Sequence, residues 1–133
     1  MDHTSTTYPS LKSRSVFITG GASGIGASLV THFAAQGAHV GFVDIDNDAA
    51  NELVALLGGN IVYQYCDLLD IGSLQRAIAL FEAEAGGHID VLVNNAGNDD
   101  RHEVDAVDIG YWDNRININL RHQFFAAQAV RPG

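Results

Sequence analysis

The sequence predicts an α/β fold, a parallel β-sheet with helices on both faces and strand order 3-2-1-4. Three observations predict it. Short β-branched and apolar runs alternate with stretches whose apolar residues recur every three or four positions, so strands alternate with helices. Glycines cluster where the first strand gives way to the first helix. The 133 residues are 47% hydrophobic and 17% charged, enough apolar material for the core of one globular domain, and no linker, low-complexity tract or repeat divides them.

Residues 1–13 read as a polar leader, and the fold is expected from about residue 14. "SVFIT" (15–19) is a short β-branched and apolar run ending in glycines, which suits a strand buried on both faces. From Gly24, the residues Ile25, Leu29 and Phe33 recur every four positions until "QG" at 36–37, a helix with its stop signal. "AHVGFVD" (38–44) is the second strand, and "NDAANELVALLGG" (47–59) a helix closed by glycines. "NIVYQYC" (60–66) is the third strand, Leu74, Ile78 and Phe81 mark the next helix, and "IDVLVNN" (89–95) is the fourth strand. After a polar loop at 97–108, Trp112, Ile116, Leu120 and Phe124 line one side of a single long helix over 109–130 that stops at "RPG". Ile118 and Phe125 add apolar residues on a second side, which fits either burial under the sheet or contact with another copy of the chain. The order 3-2-1-4 leaves "VLV" of the fourth strand as an apolar edge, so an isolated 133-residue chain is expected to open or aggregate unless further strands or a partner cover it.

The net charge of −9, with no local cluster of Lys and Arg, opposes binding to nucleic-acid phosphates or anionic lipid, so neither nucleic acid nor membrane is an expected partner. The first ten residues lack the apolar run of a signal peptide, and no segment reaches the ~18 apolar residues of a membrane span, which points to a cytoplasmic protein. Cys66 is the sole cysteine, which excludes an internal disulfide and a Cys-based zinc cage and reads as a core filler. The six histidines show no paired ligand spacing, and no metal site is expected.

The chemistry concentrates at "TGGASGIG" (19–26), a G-x-x-x-G-x-G loop at a strand-to-helix junction. Such a loop lets the backbone turn sharply and approach a pyrophosphate, whose charge is met by free N–H groups and the helix dipole. An ordinary glycine-rich turn is the alternative. Asp44 weighs against it, because an acidic residue ending the second strand is placed to hydrogen-bond the ribose hydroxyls of an adenine nucleotide. Asp46 and Asp48 are also explained as a solvated acidic turn, yet with Asp44 they would repel the 2′-phosphate of NADP, and the loop offers no Lys or Arg to neutralise it. NAD is the expected cofactor. Tyr8 and Lys12 in "YPSLK" imitate a Tyr-x-x-x-Lys proton-transfer pair, but they precede the first strand and so belong at the sheet edge opposite the glycine loop, roughly 15–20 Å away.

"TGGASGIG", "CDL" (66–68), "NNAG" (94–97) and "NINL" (117–120) occur in the order seen in short-chain dehydrogenases/reductases, which the chain resembles from about residue 11 onward. The resemblance implies a Rossmann-like dinucleotide-binding domain that is incomplete, lacking the family's later strands. It assigns Gly20, Gly21, Ser23, Gly24, Ile25 and Gly26 to the cofactor loop, Asp67 and Leu68 to the adenine, Asn95, Ala96 and Gly97 to the adenosine ribose, and Asn119 to the helix asparagine of the Asn-Ser-Tyr-Lys catalytic tetrad. "NNAGNDDRH" (94–102), "YWDNRININLRHQFF" and the leader resemble the family's bacterial NAD-dependent pentose dehydrogenases, those acting on D-xylose or L-arabinose at C1 to give a lactone. On that likeness Asn98, Asp99, Arg101 and His102, with Asp100, stand beside the nicotinamide end and take a polyhydroxylated sugar, while a solvated loop is the alternative. The family's Ser and Tyr-x-x-x-Lys follow a fifth strand, so the pair is expected beyond Gly133, and homo-oligomerisation through the long helix is expected too. Two other readings stay open: a non-catalytic NAD-binding fragment, and a dehydrogenase for another polar alcohol.

Overall fold

The computed structural model describes residues 6–131. His3 and the Pro132–Gly133 part of the expected helix stop lie outside them. Four strands, β1 (Ser15–Thr19), β2 (His39–Asp44), β3 (Ile61–Tyr65) and β4 (Val91–Val93), form one sheet in the order β3-β2-β1-β4. Every pairing is parallel, with Val16 opposite Val40 on one side and Val91 on the other. The helices are α1 (Gly24–Ala35), α2 (Asn47–Leu57), α3 (Ile71–Glu84), α4 (Ile109–Ile116) and α5 (His122–Val130). This is the predicted Rossmann-like arrangement, with strands beginning and ending within two residues of the sequence-based limits.

Side-chain alternation along β1 and β2 divides the core. Val16, Ile18, Val40 and Phe42 face one side and pack with Val30 of α1 and Ala50 of α2. Phe17 and Val43 face the other, where they meet Leu74, Ile78 and Phe81 of α3 and Ala126 of α5. All five residues of β1 are buried, the signature of a central strand covered on both faces. Gly41 belongs here for steric reasons, since a Cβ on it would lie 2.4 Å from the Phe81 ring. Asp46, Asp70 and Asp108 cap α2, α3 and α4 by accepting the N–H groups of Ala49, Ser73 and Tyr111.

The single long helix expected over 109–130 is corrected in one respect. The helical run is continuous, but Asn117–Arg121 forms a π-helical segment between α4 and α5. Side chains explain how the wider turn is tolerated: Asn119 Nδ2 donates to Arg115 O, a ring nitrogen of His122 bonds Ile118 O, and Gln123 Nε2 donates to Asn119 O. These bonds occupy the carbonyls that a shift from i−4 to i−5 pairing leaves over. The stripe Trp112, Leu120 and Phe124 faces solvent at 58–64% exposure, with Ile116 at 38%, whereas His122 and Ala126 carry the packing against the core. Within the polar loop, Val104–Ala106 makes one 3₁₀ turn.

The amino-terminal edge of the sheet is held by Asp90. Its carboxylate accepts the Ser15 N–H at 2.8 Å and the Ser15 hydroxyl at 3.1 Å and pairs with Arg14 at 3.3 Å. These donors, the Ser15 amide foremost, hold the carboxyl below the usual carboxylate range. Tyr8 and Lys12 sit at the same edge: Tyr8 N–H donates to Gln36 Oε1, and the Lys12 side chain lies against Gly37.

A candidate functional site at the carboxyl edge of the sheet

At the opposite edge the strand ends and the loops after them enclose an open cleft of about 400 Å³. It is lined by Gly20, Ser23, Ile25 and Gly26 from the glycine loop, Asp44 and Ile45 after β2, Asp67 and Leu68 after β3, and Asn95 to Asn98 after β4. The cleft lies where the chain order reverses, the connection from β1 leading to β2 on one side and the connection from β3 crossing back to β4 on the other, the crevice position at which open parallel sheets bind ligands.

The glycine loop is shaped by contacts that tolerate no side chain. A Cβ on Gly26 would come within 1.8 Å of the Gly20 carbonyl oxygen, so α1 can approach the end of β1 only with glycine there. Gly24 begins α1 at φ +56 with nothing within 4 Å of a Cβ position, which leaves open space before the helix. Ser23 makes no side-chain cap bond, in contrast to the three Asp-capped helices, so the first amides of α1 are available to an anionic group. Gly21 serves differently: it points at Phe42, where a Cβ would meet the ring at 2.7 Å.

Asp44 is fixed from two sides. Its Oδ2 accepts the Ala22 N–H at 3.0 Å and its Oδ1 accepts the Asp46 N–H at 3.0 Å. A carboxylate offers about four acceptor positions, so lone pairs remain for a ligand hydroxyl, and the carboxylate tethers the glycine loop at the same time. Asn95 also holds the loop, because its Nδ2 donates to Thr19 O and Gly20 O at 3.1 Å each, while Thr19 Oγ1 accepts the Asn95 and Ala96 amides. Asn95 therefore shapes the cleft with its side chain turned into β1. Asp67 accepts the Leu69 amide at 2.9 Å and stands at the cleft's far wall.

Asn119 reaches across from the π segment. Its Oδ1 accepts the Asn98 N–H at 2.7 Å and its Nδ2 donates to Asn98 O at 3.0 Å, so both amide atoms clamp the loop that follows β4. Gly97 is crowded by this clamp, with Asn119 Oδ1 3.0 Å from a Cβ position. Of the loop residues read from the sequence as substrate contacts, Asn98 lines the cleft. Asp99, Arg101 and His102 form a separate shallow depression with Asp100.

Sequence reasoning missed several lining residues. Val43, Ile45 and Ile118 were treated as framework or passed over, although the first two flank Asp44. Cys66 also borders the cleft, but it is 1% exposed and burial raises its thiol above the usual range, so it remains a packing residue. Tyr111 and Arg115, which lie outside the cleft, entered the sequence reading only within the stretch that resembles the pentose dehydrogenases and were given no role of their own, because a Tyr and an Arg on a polar helix turn look like solvated surface. Among the described residues no group of three or more His, Cys, Asp or Glu is placed to hold a metal, and no helix is long and apolar enough to cross a membrane.

Comparison with known proteins agrees with this geometry. D-xylose 1-dehydrogenase of Caulobacter vibrioides is 51% identical over 129 residues, which are 95% of this chain and 50% of that protein. A probable galactose dehydrogenase of Rhizobium meliloti is 42% identical over 132 residues, 96% of this chain and 51% of its own length. A blue fluorescent protein from a metagenomic library, solved in complex with NADPH, superposes with a TM-score of 0.83 at 32% identity, covering 90% of this chain and 51% of that one. The chain thus spans about half the length of the curated relatives it matches. The short chain dehydrogenase family profile matches residues 14–133, nearly the whole chain, and its four ordered motifs converge on the one cleft. The chain belongs to the short chain dehydrogenase family.

Proposed function

We propose that residues 1–133 are the cofactor-binding part of a cytoplasmic, homo-oligomeric, NAD-dependent dehydrogenase that oxidises a sugar, a pentose by preference, at C1 to a lactone. The observation that carries the cofactor reading is the Asp44 carboxylate, held at the cleft wall by the Ala22 and Asp46 amides. A carboxylate in that position accepts the ribose 2′- and 3′-hydroxyls and repels a 2′-phosphate. Gly20, Gly21, Ser23, Gly24, Ile25 and Gly26 would hold the pyrophosphate, Asp67 and Leu68 the adenine, and Asn95, Ala96 and Gly97 the adenosine ribose. The fit is supported by the uncapped start of α1 and the open space before Gly24. Bound there, NAD would supply the acceptor for the two electrons removed from the sugar.

The sugar reading rests on the likeness to D-xylose 1-dehydrogenase and to a probable galactose dehydrogenase, together with the polar loop 98–102. Asn98, Asp99, Arg101 and His102 supply donors and acceptors suited to several hydroxyls and penalise an apolar ligand by leaving polar groups unpaired. Asn119 belongs to the catalytic set by family resemblance. Its contribution within this chain is to fix the loop through both atoms of its amide. The exposed stripe Trp112, Leu120 and Phe124 is the surface offered to another subunit.

Two measurements on the full-length protein test this reading. NADH should bind at least about tenfold more tightly than NADPH, a factor that a single misplaced charge readily supplies. Equal affinities would sink the cofactor assignment. Reduction of NAD should follow addition of D-xylose, L-arabinose or galactose, and failure with all sugars alongside turnover of a simple secondary alcohol would reject the sugar reading.

A further inference from the structure

The loop after β4 and the helix α4 meet in a repeating pattern. Asn119 clamps the backbone of Asn98, Arg115 pairs with Asp100 through Nη1 and Oδ2 at 3.6 Å, and the Tyr111 hydroxyl lies 3.1 Å from His102 Nδ1 with the rings 5.0 Å apart. Each step back of four residues along the helix matches a step forward of two along the loop. Four helical residues rise about 6 Å, so Asn119, Arg115 and Tyr111 are spaced to meet alternate residues of the loop over three rungs. The middle rung is backed from the helix side, because the Arg115 guanidinium carbon lies 5.5 Å over the Tyr111 ring. Arg115 Nη1 is buried and makes no hydrogen bond, which leaves the Asp100 carboxylate as its charge partner. Asn98 Oδ1 accepts the Asp100 amide at 3.0 Å and tightens the turn between the first two rungs.

We infer that Tyr111, Arg115 and Asn119 are positioning residues that fix the register of residues 98–102, so that the Asn98 backbone and the Asp100 and His102 side chains are tied to the helix and Asp99 and Arg101 are the loop charges left for the sugar. The inference rests on the sugar-dehydrogenase reading for the identity of the ligand, though not for the ladder itself. All of residues 98–102 are exposed, but Asp99 and Arg101, which alternate with the clamped residues, have no bond to the helix. A slip of one residue would turn Asp100 and His102 outward and bury Asp99 and Arg101 against the helix, reversing the order of charges met by a substrate. Arg115 thereby sets sugar affinity without touching the sugar.

The test uses the full-length protein with Arg115→Gln, Asp100→Asn and the double variant. Amide hydrogen exchange of residues 98–103 and steady-state kinetics are the two readouts. Each single variant should speed loop exchange and raise the sugar KM about two- to fivefold, the range expected from losing one partly exposed ion pair. kcat and NADH affinity should stay within about twofold, and the double variant should be no worse than either single, because both remove one rung. Arg115→Lys, which keeps the charge, should preserve part of the loop protection, and Tyr111→Phe, which keeps the ring and the fold, should loosen His102 alone. Unchanged loop exchange in both singles, or effects that add in the double, would overturn the inference. If the wild-type protein oxidises no sugar, the substrate reading fails separately, and loop exchange alone still decides the ladder.

Discussion

Replacing Gly26 with alanine puts the closest contact in the cleft to the test. The new methyl would lie 1.8 Å from the Gly20 carbonyl oxygen and 2.7 Å from Asn95 Nδ2. Even a tight contact of 3.0 Å requires a displacement of about 1.2 Å. Neither neighbour is free to give way, since Gly20 N–H donates to Val43 O at 2.8 Å and Gly20 O accepts from Asn95. Overpacking of this kind costs about 3 kcal/mol, and losing the Asn95 bond adds about 1 kcal/mol. For a protein of the relatives' size that is roughly 8–16 °C in melting temperature. Gly24→Ala is the control: its methyl meets nothing within 4 Å, and the positive φ alone costs about 1 kcal/mol, so melting should fall by only a few degrees. Its methyl does enter the space before α1, so NADH affinity should drop at least about tenfold, a loss of roughly 1.4 kcal/mol. Thermal melting without cofactor and fluorescence titration with NADH separate the two effects. A Gly26→Ala protein that melts within about 2 °C of wild type, where roughly 8–16 °C is expected, would refute the close-approach argument.

Other residues give predictions of the same kind. Asp90 has a depressed carboxyl pKa in the folded protein, so its contribution is present above the usual value of 3.8 and is lost as pH falls through the lower folded value. Asp90→Ala should therefore cost about 2 kcal/mol in a denaturant melt at pH 7 and progressively less as the pH is taken below the folded value, and a cost that does not fall with acidification would discount the Ser15 and Arg14 bonds. His122 is buried with Nδ1 unpartnered, and burial lowers its pKa below the usual 6.5, so the unfolded chain takes up a proton that the folded one refuses. Stability should be full above pH 6.5 and decline as pH falls below it; His122→Gln, which keeps a donor toward Ile118 O, should flatten that decline, and an unchanged slope would contradict it.

The sheet was legible because its evidence is local. β1 has an apolar centre, Val16 to Ile18, and is buried at every position, while the order 3-2-1-4 came with the Rossmann-like resemblance, because a parallel strand-helix repeat alone fits other orders too. The cofactor loop was legible as well, since glycines are demanded by contacts such as Gly26 against Gly20. The long helix was legible in extent but not in its π segment. That feature depends on where the side chains of Asn119, His122 and Gln123 find carbonyls, and apolar periodicity is blind to it. The solvent exposure of Trp112, Leu120 and Phe124 was equally hidden, because periodicity shows that residues share a face without saying what covers it. Arg115 and Tyr111 escaped notice for a third reason: their partners lie 9 to 15 positions away in a loop with no periodicity of its own.

The same few polar side chains define both the cleft and the loops that form it. Asp44 faces the cleft and tethers Ala22, Asn95 borders the cleft and holds Gly20, and Asn119 comes with a catalytic resemblance while gripping Asn98. Loss of binding after substituting any of them therefore has two sources, a missing ligand contact and a displaced loop. Charge-neutral isosteres distinguish these at Asp44. With its one carbonyl oxygen turned to the Ala22 amide, Asn keeps the loop tether and loses the Asp46 bond, so Asp44→Asn should relax discrimination between NADH and NADPH, whereas Asp44→Ala should weaken both cofactors by releasing the loop. The difference between the two variants measures the tether, and the change in cofactor ratio measures the charge. That separation is possible because the two carboxylate oxygens accept from different segments, Ala22 of the glycine loop and Asp46 of the following helix cap.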